Sequence, residues 1–130
     1  MVRSYKQSLQ DIKSYKNLIV WQKAFELSLL IYKITKGFPK EELYALTSQV
    51  RRAVISIPSN IAEGYCRQRK LEYIQFLQIA FASGAELETQ LLIAKNLNYI
   101  SAVDFNKANS LLEEVMKMLN SLISKIKTSA

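Results

Sequence analysis

The apolar positions of this chain recur at steps of three and four, and four separate stretches carry the pattern. Val20, Ala24, Leu27, Ile31 and Ile34 make one helical face, with Phe38 in phase beyond them. Gly37 and Pro39 stop it, which predicts a first helix over about 18–36. Trp21, Phe25 and Tyr32 add an aromatic row on an adjacent face, read as core. Leu43, Leu46, Val50, Ala53 and Ile57 continue the period in a second stretch. Glu41 and Glu42 suit its first turn, where the helix dipole favours acids, and Gly64 suits its end. The second helix is therefore expected over about 41–63, passing through Pro58.

The third helix is expected over about 70–97. Ile74, Leu77, Phe81 and Leu91 share one face of it; Tyr73, Phe76, Ala80, Leu87, Ala94 and Leu97 share the next. That apolar surface is wider than one bundle core needs. Within it, Ala82 to Ala85 is a run of small side chains, and Gly84 costs about 1 kcal/mol relative to alanine in a helix. Close approach of another helix would compensate. The fourth helix begins near Ser101, with Asp104 completing an imperfect capping box. Phe105, Ala108, Leu112, Val115, Leu119, Leu122 and Ile126 form its heptad seam, and Lys125 and Lys127 sit in the last turn. Four helices with short connections predict an all-α, up-and-down four-helix bundle. The whole chain, 1–130, reads as one domain, with 1–16 a flexible arm or a short helix.

Composition narrows the chemistry. Three glycines and two prolines are too few for a strand-rich fold. There is no histidine, which removes the commonest general base and metal ligand. Cys66 is the single cysteine, so no internal disulfide or multi-cysteine zinc site can form. No glycine-rich phosphate loop is present. These absences predict a protein that is not an enzyme and holds no cofactor or metal. No apolar run approaches a membrane span, and the polar N-terminal stretch lacks the apolar middle of a signal peptide, so a cytoplasmic protein is expected. The net charge of +7 suits a polyanionic partner or a soluble basic surface.

Two groups of polar residues stand out. Gln49, Arg52, Ser56, Ser59, Asn60 and Glu63 fall at steps of three and four along the second helix. Pro58 leaves the Val54 carbonyl without its usual amide, and Ser56 or Asn60 could repair the loss. The stripe is either a solvated face or a structural polar network of Gln49, Arg52, Ser56, Asn60 and Glu63; its density favours the network. Beyond Gly64, Arg67, Arg69 and Lys70 meet no acid until Glu72. With Arg51 they could form one basic patch, flanked by Tyr65 and Tyr73 as stacking groups would flank an RNA or single-strand site. The bland account is a solvated turn.

Several segments in register resemble one known family. They are the Trp21–Ala24 entry to the first helix, the turn Phe38, Pro39, Glu41, and then "QVRRA", "SIPSNIAEG" and "AELETQL". Together, over about residues 17–100, they are similar to the four-helix-bundle family of 23S rRNA intervening-sequence proteins. One departure is "FASGAELE", where the family more often reads Gly-Ser and a small residue before the acids. The resemblance implies a left-handed bundle that assembles into a homo-oligomeric ring, typically a pentamer. Genes for such proteins often lie in insertions within 23S rRNA genes. A related branch comprises accessory proteins of diversity-generating retroelements, basic rings that bind nucleic acid and a reverse transcriptase. The family name supplies no activity. The expectation is a homo-oligomer that binds RNA or DNA, with a protein-partner scaffold as the alternative.

Overall fold

The computed structural model describes residues 14–129. Among these residues there are four α-helices: α1 (Ile19–Thr35), α2 (Leu46–Tyr65), α3 (Lys70–Asn96) and α4 (Ala102–Thr128). Short 3-10 turns at Tyr15–Asn17 and Lys40–Glu42 precede α1 and α2. There is no strand among the described residues. Each helix packs on its sequence neighbour, and α4 closes on α1. The result is an all-α up-and-down bundle. The expected arm over 1–16 lies outside the described residues except for Ser14 and the start of the first 3-10 turn, where Ser14 Oγ accepts the Lys16 amide at 3.1 Å.

The core follows the apolar period. Val20, Ala24, Leu27 and Ile31 of α1 are buried against Val50, Val54, Ile57 and Ile61 of α2, Tyr73, Leu77, Ala80, Leu87 and Leu91 of α3, and Phe105, Leu112, Val115 and Leu119 of α4. The α4 seam drifts at its end: Ile123 is buried and Leu122 only partly so. A straight helix turns every 3.6 residues, so a strict 3.5-residue repeat slips by a position over several turns.

The ends of the helices show where the pattern misled. α2 starts at Leu46, not near 41. Glu41 and Glu42 belong to the separate 3-10 turn, and Glu42 Oε1 accepts the Leu46 amide at 3.3 Å from there. At the other end α2 runs through Gly64 to Tyr65, and Gly64 does not take a positive φ. Its role is contact: a Cβ at Gly64 would stand 2.7 Å from Phe76 Cβ and 3.1 Å from Tyr73 Cδ1. α3 ends in a left-handed residue, Asn98, at φ 61°. The Tyr99 amide reaches back to the Ala94 carbonyl at 2.9 Å and the Asn98 amide to Lys95 at 3.1 Å, a Schellman closure. At the start of α4 the Ser101 hydroxyl accepts the Asp104 amide at 3.1 Å. Gly84 lies under Met116 of α4, whose Cγ and Sδ would be 3.1 Å from a Cβ there, so the small run Ala82–Ala85 does admit another helix.

Candidate nucleic-acid interface

The bundle topology brings the start of α1, the end of α2, the start of α3 and the end of α4 to one end of the molecule. Arg67 and Arg69 lie in the α2–α3 connection, and Lys70 opens α3. The Lys70 ammonium donates to the Ser129 carbonyl just past α4, which fixes the two chain segments together. That contact brings Lys125 and Lys127, both exposed, to the same end. Lys16 joins from the 3-10 turn before α1, and Lys125 lines a groove with Leu18 and Ile19 of that same region. Sequence reading assigned Lys125 and Lys127 to the helix dipole alone. Their separation of more than 50 residues from Lys70 in the chain gave no cue that they would meet.

This end is less bare than the run Arg67, Arg69, Lys70 suggests. Arg67 Nη2 lies 3.2 Å from Glu63 Oε2, its Nη1 3.9 Å from Glu72 Oε1, and its guanidinium 4.8 Å above the Phe76 ring. Arg69 Nε is 3.8 Å from Glu72 Oε2. Glu63 sits one helical turn before Arg67, so the acid that matters precedes the basic run. Lys16, Arg67, Arg69, Lys70, Lys125 and Lys127 thus face the two carboxylates Glu63 and Glu72, a surplus of positive charge. The first turn of α3 adds to it. Its N-cap, Arg69, makes no side-chain capping bond, and helix N-termini carry a partial positive charge.

Arg51 does not join this group. It stands 16 residues before Arg67 on a continuous helix and its connection, about 24 Å away along the axis at 1.5 Å per residue. Its Nε donates to Thr35 Oγ1 at 2.9 Å, and its guanidinium lies 4.8 Å over the Tyr32 ring. Arg51 therefore ties α2 to the end of α1. The single patch expected with Arg67, Arg69 and Lys70 is not formed. The tyrosines also differ from expectation. Tyr73 is fully buried and so offers no face to a base. Tyr65 packs edge-on against it, with ring centroids 6.1 Å apart. Burial first, and the neighbouring Cys66 second, push the Tyr65 phenol above its ordinary range.

The polar stripe of α2 divides in two. Asn60 Nδ2 donates to the Ser56 carbonyl at 2.7 Å and to Ser56 Oγ at 2.9 Å. Ser56 Oγ lies 2.8 Å from Ser83 Oγ of α3, so a real network crosses the α2–α3 interface. Its third member, Ser83, sits in the small run of α3 and was not read from the sequence as polar chemistry. Gln49 and Arg52 are exposed and stand outside this network, and Glu63 pairs with Arg67. The five-residue network is therefore reduced to Ser56 and Asn60 with Ser83 as the added partner. Nor do Ser56 and Asn60 repair the gap left by Pro58: Ser28 of α1 does, at 3.3 Å from the Val54 carbonyl.

Among the described residues no cluster of three His, Cys, Asp or Glu side chains could hold a metal ion, and no helix is long and apolar enough to cross a membrane.

Comparison with known proteins adds to the geometry. A family model described as 23S rRNA-intervening sequence protein matches residues 16–121. Among solved structures, a protein with unknown function from the S23 ribosomal protein family of Bacteroides thetaiotaomicron is 27% identical to this chain, with a TM-score of 0.76. The match covers 82% of this chain and 96% of that one. No curated protein matches.

Proposed function

The chain belongs to the 23S rRNA-intervening sequence protein family, and from that premise we propose that it is a non-enzymatic, self-associating bundle of the cytoplasm that binds RNA or DNA through its cationic end. The observation that carries this reading is the convergence of Lys16, Arg67, Arg69, Lys70, Lys125 and Lys127 on one end of the bundle from four separate segments. Cations on rigid helix ends neutralise phosphates without reading bases, so binding should be tolerant of sequence. Self-association is supported by the outward apolar side chains of α3: Leu71 is 73% exposed, and Ile79, Ile93 and Leu97 are also exposed. A homopentameric ring would repeat the cationic end on each subunit, and modest sites would add by avidity.

The test is fluorescence anisotropy with labelled RNA and DNA oligomers at two salt concentrations, beside light scattering for mass. Affinity should fall with salt, with a slope of log K against log salt of roughly −0.9 per phosphate neutralised on duplex and about −0.7 on single strands. Arg67→Ser, Arg69→Ser and Lys70→Ser together should weaken binding to all sequences and flatten that slope, with helicity and oligomer mass unchanged. Lys125→Ser with Lys127→Ser should do the same. No binding near physiological salt, or binding unchanged in both variants, overturns the reading. A scaffold acting on a protein partner is the second reading. The ion pairs of Arg67 and Arg69 with Glu63 and Glu72 favour it, because they leave those two guanidinia partly neutralised.

A further inference from the structure

Ser48, Gln49, Arg52 and Ser56 share one stripe of α2, and with Tyr44 just before the helix and Glu86 of α3 they line a groove of about 610 Å³. That volume lies within the roughly 300–1,000 Å³ typical of small-molecule sites. Ala45 and Ala53 are the aliphatic side chains of its lining; the rest present hydroxyl, amide and charge. A ligand for this groove is therefore polar.

Two contacts fix the register of the facing helices. Gly64 meets Tyr73 and Phe76, and Ser56 meets Ser83, so numbers fall along α2 as they rise along α3. Three residues back from Ser56 is Ala53, and three on from Ser83 is Glu86. Arg52 and Glu86 thus stand at one level, opposite charges on the two walls. They make no ion pair with each other among the described residues, and Arg52 has no hydrogen bond or ring contact there. Glu86 Oε2 accepts from Gln90 Nε2 at 3.4 Å, and Gln90 is buried, which orients the carboxylate. At the other end of the groove Tyr44 is 92% exposed. Arg52 lies six positions past Leu46, the first residue of α2, so the charged end and the Tyr44 end are about 9 Å apart at 1.5 Å per residue.

We propose that this groove binds a free basic α-amino acid. The Arg52 guanidinium is a planar fork that takes a carboxylate through two parallel bonds. The ammonium on the adjacent carbon then meets Glu86. Opposite charges at one level suit a ligand that carries both charges on neighbouring atoms. A phosphate would be repelled by Glu86, and a simple amine would leave Arg52 unmet. The side chain runs along α2 past Gln49 and Ser48 toward Tyr44. There the exposed ring receives a cation on its face, which requires approach within about 6 Å of the centroid. A long basic side chain reaches it and a short one does not. The groove is separate from the cationic end, since Arg52 precedes Arg67 by 15 residues, so its test stands whether or not that end binds nucleic acid.

Isothermal titration of the full chain with L-arginine is the experiment. Binding should be saturable. Agmatine, which lacks the carboxylate, should bind at least tenfold more weakly. Arg52→Gln and Glu86→Gln should each weaken L-arginine at least tenfold, with far-UV dichroism and melting unchanged because both side chains are exposed. Tyr44→Ala should bring L-arginine down to the affinity of L-alanine. Glu88→Gln, outside the groove on the same helix, should leave the affinity as it was. Absence of saturable binding overturns the proposal. So does agmatine binding as tightly as L-arginine, or an affinity unchanged in either Arg52→Gln or Glu86→Gln. An equal loss in Glu88→Gln also overturns it, since the attraction would then belong to the general charge of α3.

Discussion

Ser28 of α1 places its hydroxyl 3.3 Å from the Val54 carbonyl of α2, the acceptor that Pro58 leaves without an amide donor. The same hydroxyl lies 3.0 Å from the Ala24 carbonyl of its own helix, so its one proton is divided between a local and a cross-helix acceptor. A proline inside a buried helix is tolerated where a neighbour supplies the missing bond. Here that neighbour stands 26 residues away in sequence.

Ser28→Ala should therefore lower stability by about 1 kcal/mol, the usual worth of one such bond. Pro58→Ala restores an amide four residues after Val54, and in that background Ser28→Ala should cost clearly less. A double-mutant cycle by chemical denaturation reads the coupling. Additive effects of the two substitutions would show that the Ser28 hydroxyl serves only Ala24.

The network of Asn60, Ser56 and Ser83 separates the inner from the outer part of the α2 stripe. Asn60→Ala removes the two bonds donated to the Ser56 carbonyl and hydroxyl, a loss of about 1–3 kcal/mol. Ser83→Ala should fall at the lower end of that range. Glu63→Ala breaks only an exposed pair with Arg67 and should stay below about 1 kcal/mol. Gln49→Ala and Arg52→Ala should change stability by about 0.5 kcal/mol or less, as exposed positions do. Midpoints of urea unfolding for the five variants give the ranking, and equal losses across the stripe would refute it.

Most of the fold was legible because burial on a helix repeats in sequence. Val20, Ala24, Leu27 and Ile31 could be read together without knowing what they touch. The errors fall where one residue type serves two structures. Glu41 and Glu42 suit a first helical turn and a 3-10 turn equally, and only the Glu42 carboxylate bond to the Leu46 amide shows which was built. Gly64 suits a helix stop and a close contact equally, and its partner Phe76 decides. Asn98, in the left-handed region after Lys95, was a readable end signal for α3 that the apolar period obscured. The candidate site was the least legible part. Ser28 with Val54, Ser83 with Ser56, and Lys70 with the end of α4 are pairings across helices, and no local period encodes them.

Tyr99 gives the molecule a link that fails at high pH. Its hydroxyl donates to Glu42 Oε2 at 3.0 Å, while Glu42 Oε1 caps α2 at Leu46. The bond to the carboxylate, then desolvation, then the charges of Glu42 and Glu41, hold the Tyr99 phenol above its ordinary pKa of 10.0. A folded-state value above the unfolded one means the native protein keeps its proton longer. The stability this contributes is complete below pH about 10, where the unfolded phenol titrates, and is lost as pH rises through the raised folded value. Tyr99→Phe should lower stability at neutral pH and flatten the decline above pH 10 relative to the parent. Thermal melts between pH 8 and pH 11 show this, and parallel declines in both proteins would rule it out.

The two helical glycines of the α2–α3–α4 packing should respond in opposite ways to alanine. At Gly64 the new Cβ would meet Phe76 Cβ at 2.7 Å and the Tyr73 carbonyl at 3.3 Å, atoms set by the backbone of α3 rather than by a mobile side chain. Neither can swing aside, so α2 and α3 must separate where Gly64 meets Tyr73 and Phe76, and overpacking of this kind costs about 1–3 kcal/mol. At Gly84 the new Cβ would meet Met116 Cγ and Sδ at 3.1 Å, the flexible part of an adaptable side chain. A shift of Met116 by a few tenths of an ångström relieves the contact. The helix meanwhile gains up to about 1 kcal/mol when glycine becomes alanine. Gly84→Ala should therefore be neutral or stabilising, and Gly64→Ala destabilising despite the same gain in propensity. The comparison is internal, since both sites are helical and buried, so the difference isolates the rigidity of the opposing atom. Unfolding midpoints measure it. Equal destabilisation by both would mean that Met116 is held as firmly as Phe76 Cβ, and that α4 is locked against α3 at Gly84.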